Sequence, residues 1–174
     1  MIIVDKNFRD TFSFIKEWEY PDYTFKNDDG NFQIDEDRAI KAEDTTHLFF
    51  TARCTTNVQG GYDIRYCYAE KNDTLLKLTF KDGLPAYASE FYVYIDTGIF
   101  WCDAETIYPV VLPRQKKYCT TLKQKLILDK PVYSKGDIIK GYISMEFEET
   151  INSLKTGEKK HKFFFNGYFK TTIM

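Results

Sequence analysis

From position 47 onward, hydrophobic and polar residues alternate in short segments that are rich in aromatic and β-branched residues, and turn residues separate the segments. The pattern predicts about eight or nine strands. Short strands that follow one another with only turns and loops between them are typical of antiparallel sandwiches and barrels, not of alternating βα units. We therefore predict an all-β fold, a mainly antiparallel β-sandwich over 47–174 for which an immunoglobulin-like arrangement is one option. The clearest predicted strands are 62–69, 75–80, 86–95 and 122–129.

The pattern before position 47 is different. Phe8, Phe12 and Ile15 have the spacing of one helix face, which predicts a short N-terminal helix over 5–19. A polar stretch follows, with one helical turn expected near 35–42. Helix is therefore expected to be a minor part of the chain.

Composition places the chain among ordinary globular proteins. Its 15 Phe and 13 Tyr exclude a disordered chain, and its 9 Gly and 5 Pro exclude a collagen-like one. A length of 174 residues suits one domain, 1–174, since no linker or repeat divides it. Alternation within the predicted strands gives the expected core residues: Phe50, Ile64, Leu78, Phe91, Val93, Ile143 and Phe164.

The sequence carries no sign of export or of membrane insertion. Only Ile2, Ile3 and Val4 stand between Met1 and Asp5, which is too short an apolar run for a signal peptide, and no run of 18 apolar residues occurs. We expect a cytoplasmic protein with no membrane contact. The spacing of the four cysteines fits neither a zinc site nor a redox motif, so free thiols are predicted, with a Cys54–Cys67 disulfide as the alternative for an exported protein. The cysteines are Cys54, Cys67, Cys102 and Cys119.

Charge is unevenly distributed along the chain. Residues 1–44 hold 12 acidic and 6 basic side chains, whereas residues 111–174 hold 6 acidic and 13 basic ones. A crowded acidic stretch repels itself unless it meets a basic partner, which would bind by charge complementarity. We predict that this stretch binds a protein partner, a basic toxin domain being one candidate. The predicted partner-binding residues are Asp28, Asp29, Asp35, Glu36, Asp37, Glu43 and Asp44.

No residue pattern supports catalysis or a bound cofactor. His47 and His161 are the only histidines, and neither belongs to a recognisable nucleophile–base motif. Gly60-Gly61 alone does not form a phosphate-binding loop. A helical calcium loop with Gly30 as its sixth residue would begin at Phe25, a position that requires an acidic ligand. We expect no enzyme activity, no metal and no cofactor.

Two features of the sequence indicate binding functions other than contact with a protein partner. A basic segment with one tyrosine could contact nucleic acid, but a pI near 5.8 argues against it, and no nucleic-acid partner is expected. Strand aromatics could form a platform for sugars, so a carbohydrate- or small-ligand-binding β module is the alternative function. The basic segment comprises Arg114, Lys116, Lys117, Tyr118, Lys123 and Lys125. The aromatic candidates are Tyr62, Tyr66, Tyr68, Tyr92, Tyr94 and Trp101.

One stretch carries a resemblance to known folds. Residues 130–143, KPVYSKGDIIKGYI, resemble a strand–turn–strand element of immunoglobulin-like sandwiches, including macroglobulin and arrestin-type domains. The whole chain is similar in kind to small cytoplasmic immunity proteins of bacterial toxin–immunity systems, which are compact, aromatic-rich and non-catalytic. This resemblance implies a protein that neutralises a cognate toxin by direct contact.

Overall fold

The computed structural model describes residues 1–8, 24–26, 32–34, 38–40, 51–81, 89–108, 115–153 and 157–174, of which 24–26, 32–34, 38–40 and Gln115 are described by their backbone alone. These residues form thirteen β-strands and one short 3-10 helix, Val58–Gly60. Nine of the strands begin after position 46, as predicted. The strands are β1 (Ile3–Val4), β2 (Thr24–Lys26), β3 (Phe32–Ile34), β4 (Arg38–Ile40), β5 (Ala52–Thr56), β6 (Tyr62–Ile64), β7 (Tyr66–Asn72), β8 (Leu75–Lys81), β9 (Glu90–Asp96), β10 (Ile99–Glu105), β11 (Gln115–Leu128), β12 (Ile138–Ser153) and β13 (Gly157–Thr172).

The strands are arranged in three sheets. The large sheet has the order β1-β11-β12-β13-β5-β6, the four-stranded sheet has the order β10-β9-β8-β7, and the third sheet has the order β2-β3-β4. Every strand pair is antiparallel except β1 with β11. The predicted all-β, mainly antiparallel fold class is therefore confirmed for the described residues.

Aromatic rings from the large sheet and the four-stranded sheet contact one another in the core. Phe91 of β9 stacks on Phe165 of β13, with ring centroids 4.4 Å apart. Phe80 of β8 contacts Phe165 at 5.1 Å and Phe169 at 5.3 Å. Such pairs add about 0.5–1.5 kcal/mol to the free energy gained from burial alone.

Most of the predicted core residues are buried. Ile64, Leu78, Phe91, Val93 and Ile143 are at most 1% exposed, and Phe50 lies outside the described residues.

Phe164 is a wrong core prediction, because its side chain is only half-buried and Phe165 takes the core position. The Asn166-Gly167 pair predicts a break in the final strand over 161–174, and this prediction is also wrong. Strand β13 runs through both residues, pairing Asn166 with Ser144 and Gly167 with Ile143. Because successive side chains of a strand point to opposite faces, the unbroken strand directs Phe165 and Phe169 inward and Phe164 away.

The helix predictions fail where the structure describes them. Residues 5–8 form a turn in which the Asn7 N–H donates to the Asp5 carboxylate at 2.9 Å, and residues 9–19 lie outside the described residues. The helical turn expected near 35–42 is contradicted by β4, whose backbone pairs with β3. In the described part of the chain, no helix has the length and apolar character required to cross a membrane.

Two irregularities set which side chains reach the core. A β-bulge between Thr121 and Lys123 inserts Leu122, so that inward-facing positions change from odd to even numbers along β11. The predicted strand 62–69 is divided at Arg65 and belongs to β6 of the large sheet and β7 of the four-stranded sheet. Tyr62 therefore lies on a different sheet from Tyr66 and Tyr68.

Side chains from or beside the large sheet hold both edges of the four-stranded sheet. On the β10 edge, Gln124 accepts a hydrogen bond from the Cys102 N–H at 2.7 Å and donates to the Phe100 carbonyl at 3.4 Å. On the β7 edge, the Thr51 hydroxyl accepts from the Cys67 N–H at 2.6 Å and donates to its carbonyl at 2.9 Å. These bonds satisfy backbone groups that edge strands leave unpaired, and they fix the position of β10.

All four cysteines are free thiols, as predicted. Cys54, Cys67 and Cys102 are buried, and Cys119 is partly exposed. Burial raises the pKa of Cys54 and Cys67 well above the usual thiol range, and it raises the pKa of Cys102 to about 12.

Candidate binding surface

The side of the four-stranded sheet that faces away from the core carries aromatic and charged side chains; we call it the outer face. Its residues alternate along each strand with buried ones, so their positions follow directly from the period of two. The outer face comprises Tyr68 and Glu70 of β7, Lys77, Thr79 and Lys81 of β8, Glu90, Tyr92, Tyr94 and Asp96 of β9, and Ile99, Trp101, Asp103 and Glu105 of β10.

Strand register brings three of these side chains into a row. Trp101 lies opposite Tyr94, and Tyr94 lies opposite Lys77. The rings of Tyr94 and Trp101 stack with centroids 5.3 Å apart and planes 15° apart. The Lys77 Nζ lies 4.7 Å from the centroid of Tyr92 and 5.9 Å from that of Tyr94, within the range of cation–π attraction.

The tyrosine hydroxyls and carboxylates of the outer face are linked by hydrogen bonds. The Tyr92 hydroxyl donates to the Glu90 carboxylate at 2.6 Å and lies 3.5 Å from the Glu105 carboxylate. Burial, and then the Glu90 carboxylate, raise the pKa of Tyr92 well above the usual phenol range. The hydroxyl therefore stays protonated at neutral pH and remains a donor.

Trp101 differs from the tyrosines in its surroundings. It lies on β10, the end strand of its sheet, and its side chain is 42% exposed, next to Ile99 at 62%. Within the described residues, Lys77 lies over Tyr92 and Lys81 lies over Tyr68, but no lysine lies over Trp101. The indole, the strongest cation–π acceptor among side chains, is thus left for another group.

The outer face carries a negative charge. Its five carboxylates outnumber its two lysines, which gives a formal charge of −3. Glu90 and Glu105 lie directly opposite each other in the register, and Lys81 Nζ approaches only Glu90, at 4.0 Å. Like charges in directly opposed positions are destabilising, so a cation bound here would relieve repulsion.

A second polar cluster lies on the core side of the large sheet around Glu149, which is fully buried. Its carboxyl oxygens accept hydrogen bonds from the Thr106 hydroxyl and, at 2.7 Å, from the Tyr108 hydroxyl. Lys117 Nζ donates to the Thr106 carbonyl and lies 5.0 Å from the Tyr108 ring centroid. These contacts attach residues 106–108 to the large sheet, which is a structural role.

The register also places Cys119, Glu149 and His161 side by side on three adjacent strands. The arrangement does not provide an activated nucleophile. Burial raises the pKa of Cys119, so its thiol is protonated at neutral pH. His161 stacks on Phe163 instead, at 6.2 Å.

The structure leaves the predicted partner-binding residues untested. The acidic residues Asp28, Asp29, Asp35, Glu36, Asp37, Glu43 and Asp44 all lie outside the described residues, as does His47. The described backbone nearby is the β2-β3-β4 sheet.

The aromatic candidates are only partly brought together. Tyr68, Tyr92, Tyr94 and Trp101 share the outer face, as the preceding contacts indicate. Tyr66 is buried, and the hydroxyl of Tyr62 accepts a hydrogen bond from the Ser89 N–H at 3.0 Å.

Sequence reasoning missed the charged members of the outer face. Glu90, Asp103, Glu105 and the two lysines Lys77 and Lys81 were not singled out, although alternation along 75–81, 90–96 and 99–105 places them on the same face as the aromatics. Among the candidates for nucleic-acid contact, Lys123 is engaged by Glu146 at 2.9 Å.

A scan against protein-family models and searches of curated proteins and of solved structures give no match to this chain. Its function therefore has to be inferred from its own residues and their geometry.

Proposed function

We propose that this chain is a non-enzymatic, cytoplasmic binding protein that contacts a protein partner through the outer face. Its most concrete form is an immunity protein that neutralises a cognate toxin, in keeping with the likeness in kind to such proteins. The observation that carries the proposal is the exposed Trp101 beside Ile99 and the stacked Tyr94. Tryptophan and tyrosine are the residue types that most often dominate the binding energy of protein interfaces.

The outer face is held in place by the packing beneath it and by hydrogen bonds at its edge, which suits it to binding. Its rings stand on a sheet whose other side packs through Phe80 and Phe91 against the large sheet, in an arrangement we propose to be an immunoglobulin-like β-sandwich. Hydrogen bonds from Gln124 hold the β10 strand that carries Trp101. A surface fixed in this way loses little conformational entropy on association, which favours affinity.

The raised pKa values of the thiols support a non-catalytic function. Cysteine acts as a nucleophile in its thiolate form, and burial opposes that form at all four positions. The buried Glu149 is engaged by two hydroxyl donors, which supports a structural assignment for that carboxyl group as well.

A carbohydrate-binding module is the second candidate, because Tyr92, Tyr94 and Trp101 share one face. A sugar needs an aromatic ring with a bare face on which to stack. Here Tyr94 has Trp101 against it, and Lys77 lies over Tyr92. Of the three rings, Trp101 alone keeps a face for stacking, and a single ring makes a small sugar platform, so the geometry favours a protein partner.

Co-purification tests the proposal. The tagged chain is expressed with the untagged product of the neighbouring gene, and the complex is quantified after affinity purification. We expect the wild-type chain to retain its partner and Trp101→Ala to reduce retention at least about tenfold, the size of a typical hot-spot loss. Tyr118→Ala is the matched control, since Tyr118 is a 51% exposed aromatic on the large sheet.

If the partner is a toxin, the wild-type chain and Tyr118→Ala restore growth of toxin-expressing cells, whereas Trp101→Ala does not. Equal retention by Trp101→Ala and Tyr118→Ala would show that the outer face is the wrong surface. Saturable binding to a glycan that is lost in Trp101→Ala would favour the carbohydrate-binding alternative.

A further inference from the structure

We infer that the partner presents an arginine side chain to the β10 side of the outer face, where the guanidinium stacks on Trp101 and pairs with the carboxylate of Asp103, while Glu105 adds negative charge further along the strand. This inference rests on the proposed function and specifies the chemistry of the partner.

The first support is the spacing along β10. Trp101, Asp103 and Glu105 are alternate residues of one strand, so their side chains leave the same face at intervals of about 6.6 Å. A flat group resting on the indole is then within one residue repeat of a carboxylate. Arginine fits because its guanidinium is planar, stacks on aromatic rings and donates paired hydrogen bonds to carboxylates.

The second support is that, within the described residues, lysines lie beside neighbouring rings and carboxylates but not beside Trp101, Asp103 or Glu105. Lys77 lies over Tyr92, and Lys81 lies over Tyr68 and 4.0 Å from Glu90. In the part of the chain that the structure describes, neither Asp103 nor Glu105 forms an ion pair. Among the described residues, the aromatic ring and the carboxylates at the β10 edge therefore lack the cation that their counterparts on β7 and β9 possess.

The third support is charge. The outer face has a formal charge of −3, and Glu90 and Glu105 lie opposite each other. Complementary charge speeds the encounter with a basic surface and disfavours acidic partners. A hydrophobic partner would gain from Trp101 and Ile99 but would bury these carboxylates without compensation, which is costly.

Peptide titration followed by NMR tests the inference on the full chain. The probes are three capped tetrapeptides, Gly-Arg-Arg-Gly and the same sequence with lysine or with uncharged citrulline in place of arginine. The readout is the indole N–H resonance of Trp101, identified by its absence in Trp101→Phe. We expect saturable shifts with the arginine peptide, binding at least about threefold weaker with lysine, and no saturable shift with citrulline.

The double variant Asp103→Asn/Glu105→Gln should weaken binding of the arginine peptide about fivefold or more, since it removes the paired charge of Asp103 and the neighbouring charge of Glu105. Glu70→Gln is the matched control, because Glu70 is an exposed carboxylate on the opposite end strand of the same face. Equal binding of the citrulline peptide, or no effect of the double variant, would overturn the inference.

The inference and the proposed function can fail separately. If Trp101→Ala releases the partner but Asp103→Asn/Glu105→Gln retains both partner and peptide, the inference about arginine is wrong and the proposed binding surface is right. If the arginine peptide binds as expected but Trp101→Ala retains the partner, the site recognises arginine and the proposed partner contact is wrong.

Discussion

Replacing Gly167 by alanine is expected to destabilise the protein by at least about 4 kcal/mol, a loss that few single substitutions cause. A Cβ atom at this position would lie 2.1 Å from the Arg53 carbonyl oxygen and 2.4 Å from the Cys54 Cα. Both atoms belong to the backbone of β5, which pairs with β13 at this point, so neither can move without separating the two strands. The φ angle of +151° adds strain for any residue with a side chain.

Urea unfolding followed by circular dichroism measures this effect. Gly136→Ala is the matched control, because Gly136 also has a positive φ angle, +86°, but no atom lies within 4 Å of the added Cβ. The control should lose only about 1–2 kcal/mol, the cost of the left-handed conformation. If the two variants have the same midpoint, the close approach of β5 and β13 at Gly167 is wrong.

The second large effect is expected for Glu149→Ala, which should destabilise the protein by about 3–4 kcal/mol. The change removes the acceptor for two hydroxyl groups, those of Thr106 and Tyr108, and leaves a cavity in a fully buried position. Buried donors left without an acceptor cost about 1–3 kcal/mol each, and lost packing adds to this cost. Glu149→Gln retains one acceptor oxygen and most of the volume, so it should recover about half of the loss.

Glu146→Ala provides the control on the same strand. Glu146 is half-exposed and pairs with Lys123 at 2.9 Å, and surface ion pairs contribute about 0–1 kcal/mol. Thermal or urea unfolding of the three variants should therefore rank them Glu146→Ala, Glu149→Gln, Glu149→Ala in order of increasing loss. A loss below about 1 kcal/mol for Glu149→Ala would contradict the buried hydrogen-bonded carboxyl group described above.

Local pattern was sufficient to predict the strands but not their lengths or faces. Alternation over 75–80 gave β8 almost to the residue, because each inward position there is aliphatic or aromatic. The polar composition of 148–160 predicts a connection, yet the described residues 148–153 and 157–160 belong to β12 and β13. Pairing between long strands holds them in place, including the ion pair of Glu148 with Lys160 at 3.1 Å. Such support comes from partners distant in the sequence, which local patterns do not contain.

The aromatic residues of the candidate site were predictable one by one, but its charged residues and its arrangement were not. The aromatics of 86–95 and 99–102 were recognised from the sequence, whereas the stack of Trp101 on Tyr94 and the position of Lys77 depend on strand order and register. The division of 62–69 between two sheets, which places Tyr62 on the large sheet, has the same origin. Tertiary pairing therefore decides which of several equally plausible tyrosines become a surface.

Oxidative footprinting of the complex tests the central claim that the partner binds the outer face. Hydroxyl radicals modify exposed aromatic side chains, and mass spectrometry measures the rate at each residue in the free chain and in the complex. We expect the rate at Trp101 to fall several-fold when the co-purified partner is bound, with Tyr118 on the large sheet unchanged as an internal control. An unchanged rate at Trp101, together with protection confined to residues within 24–44, would contradict the account and move the contact to the acidic segment.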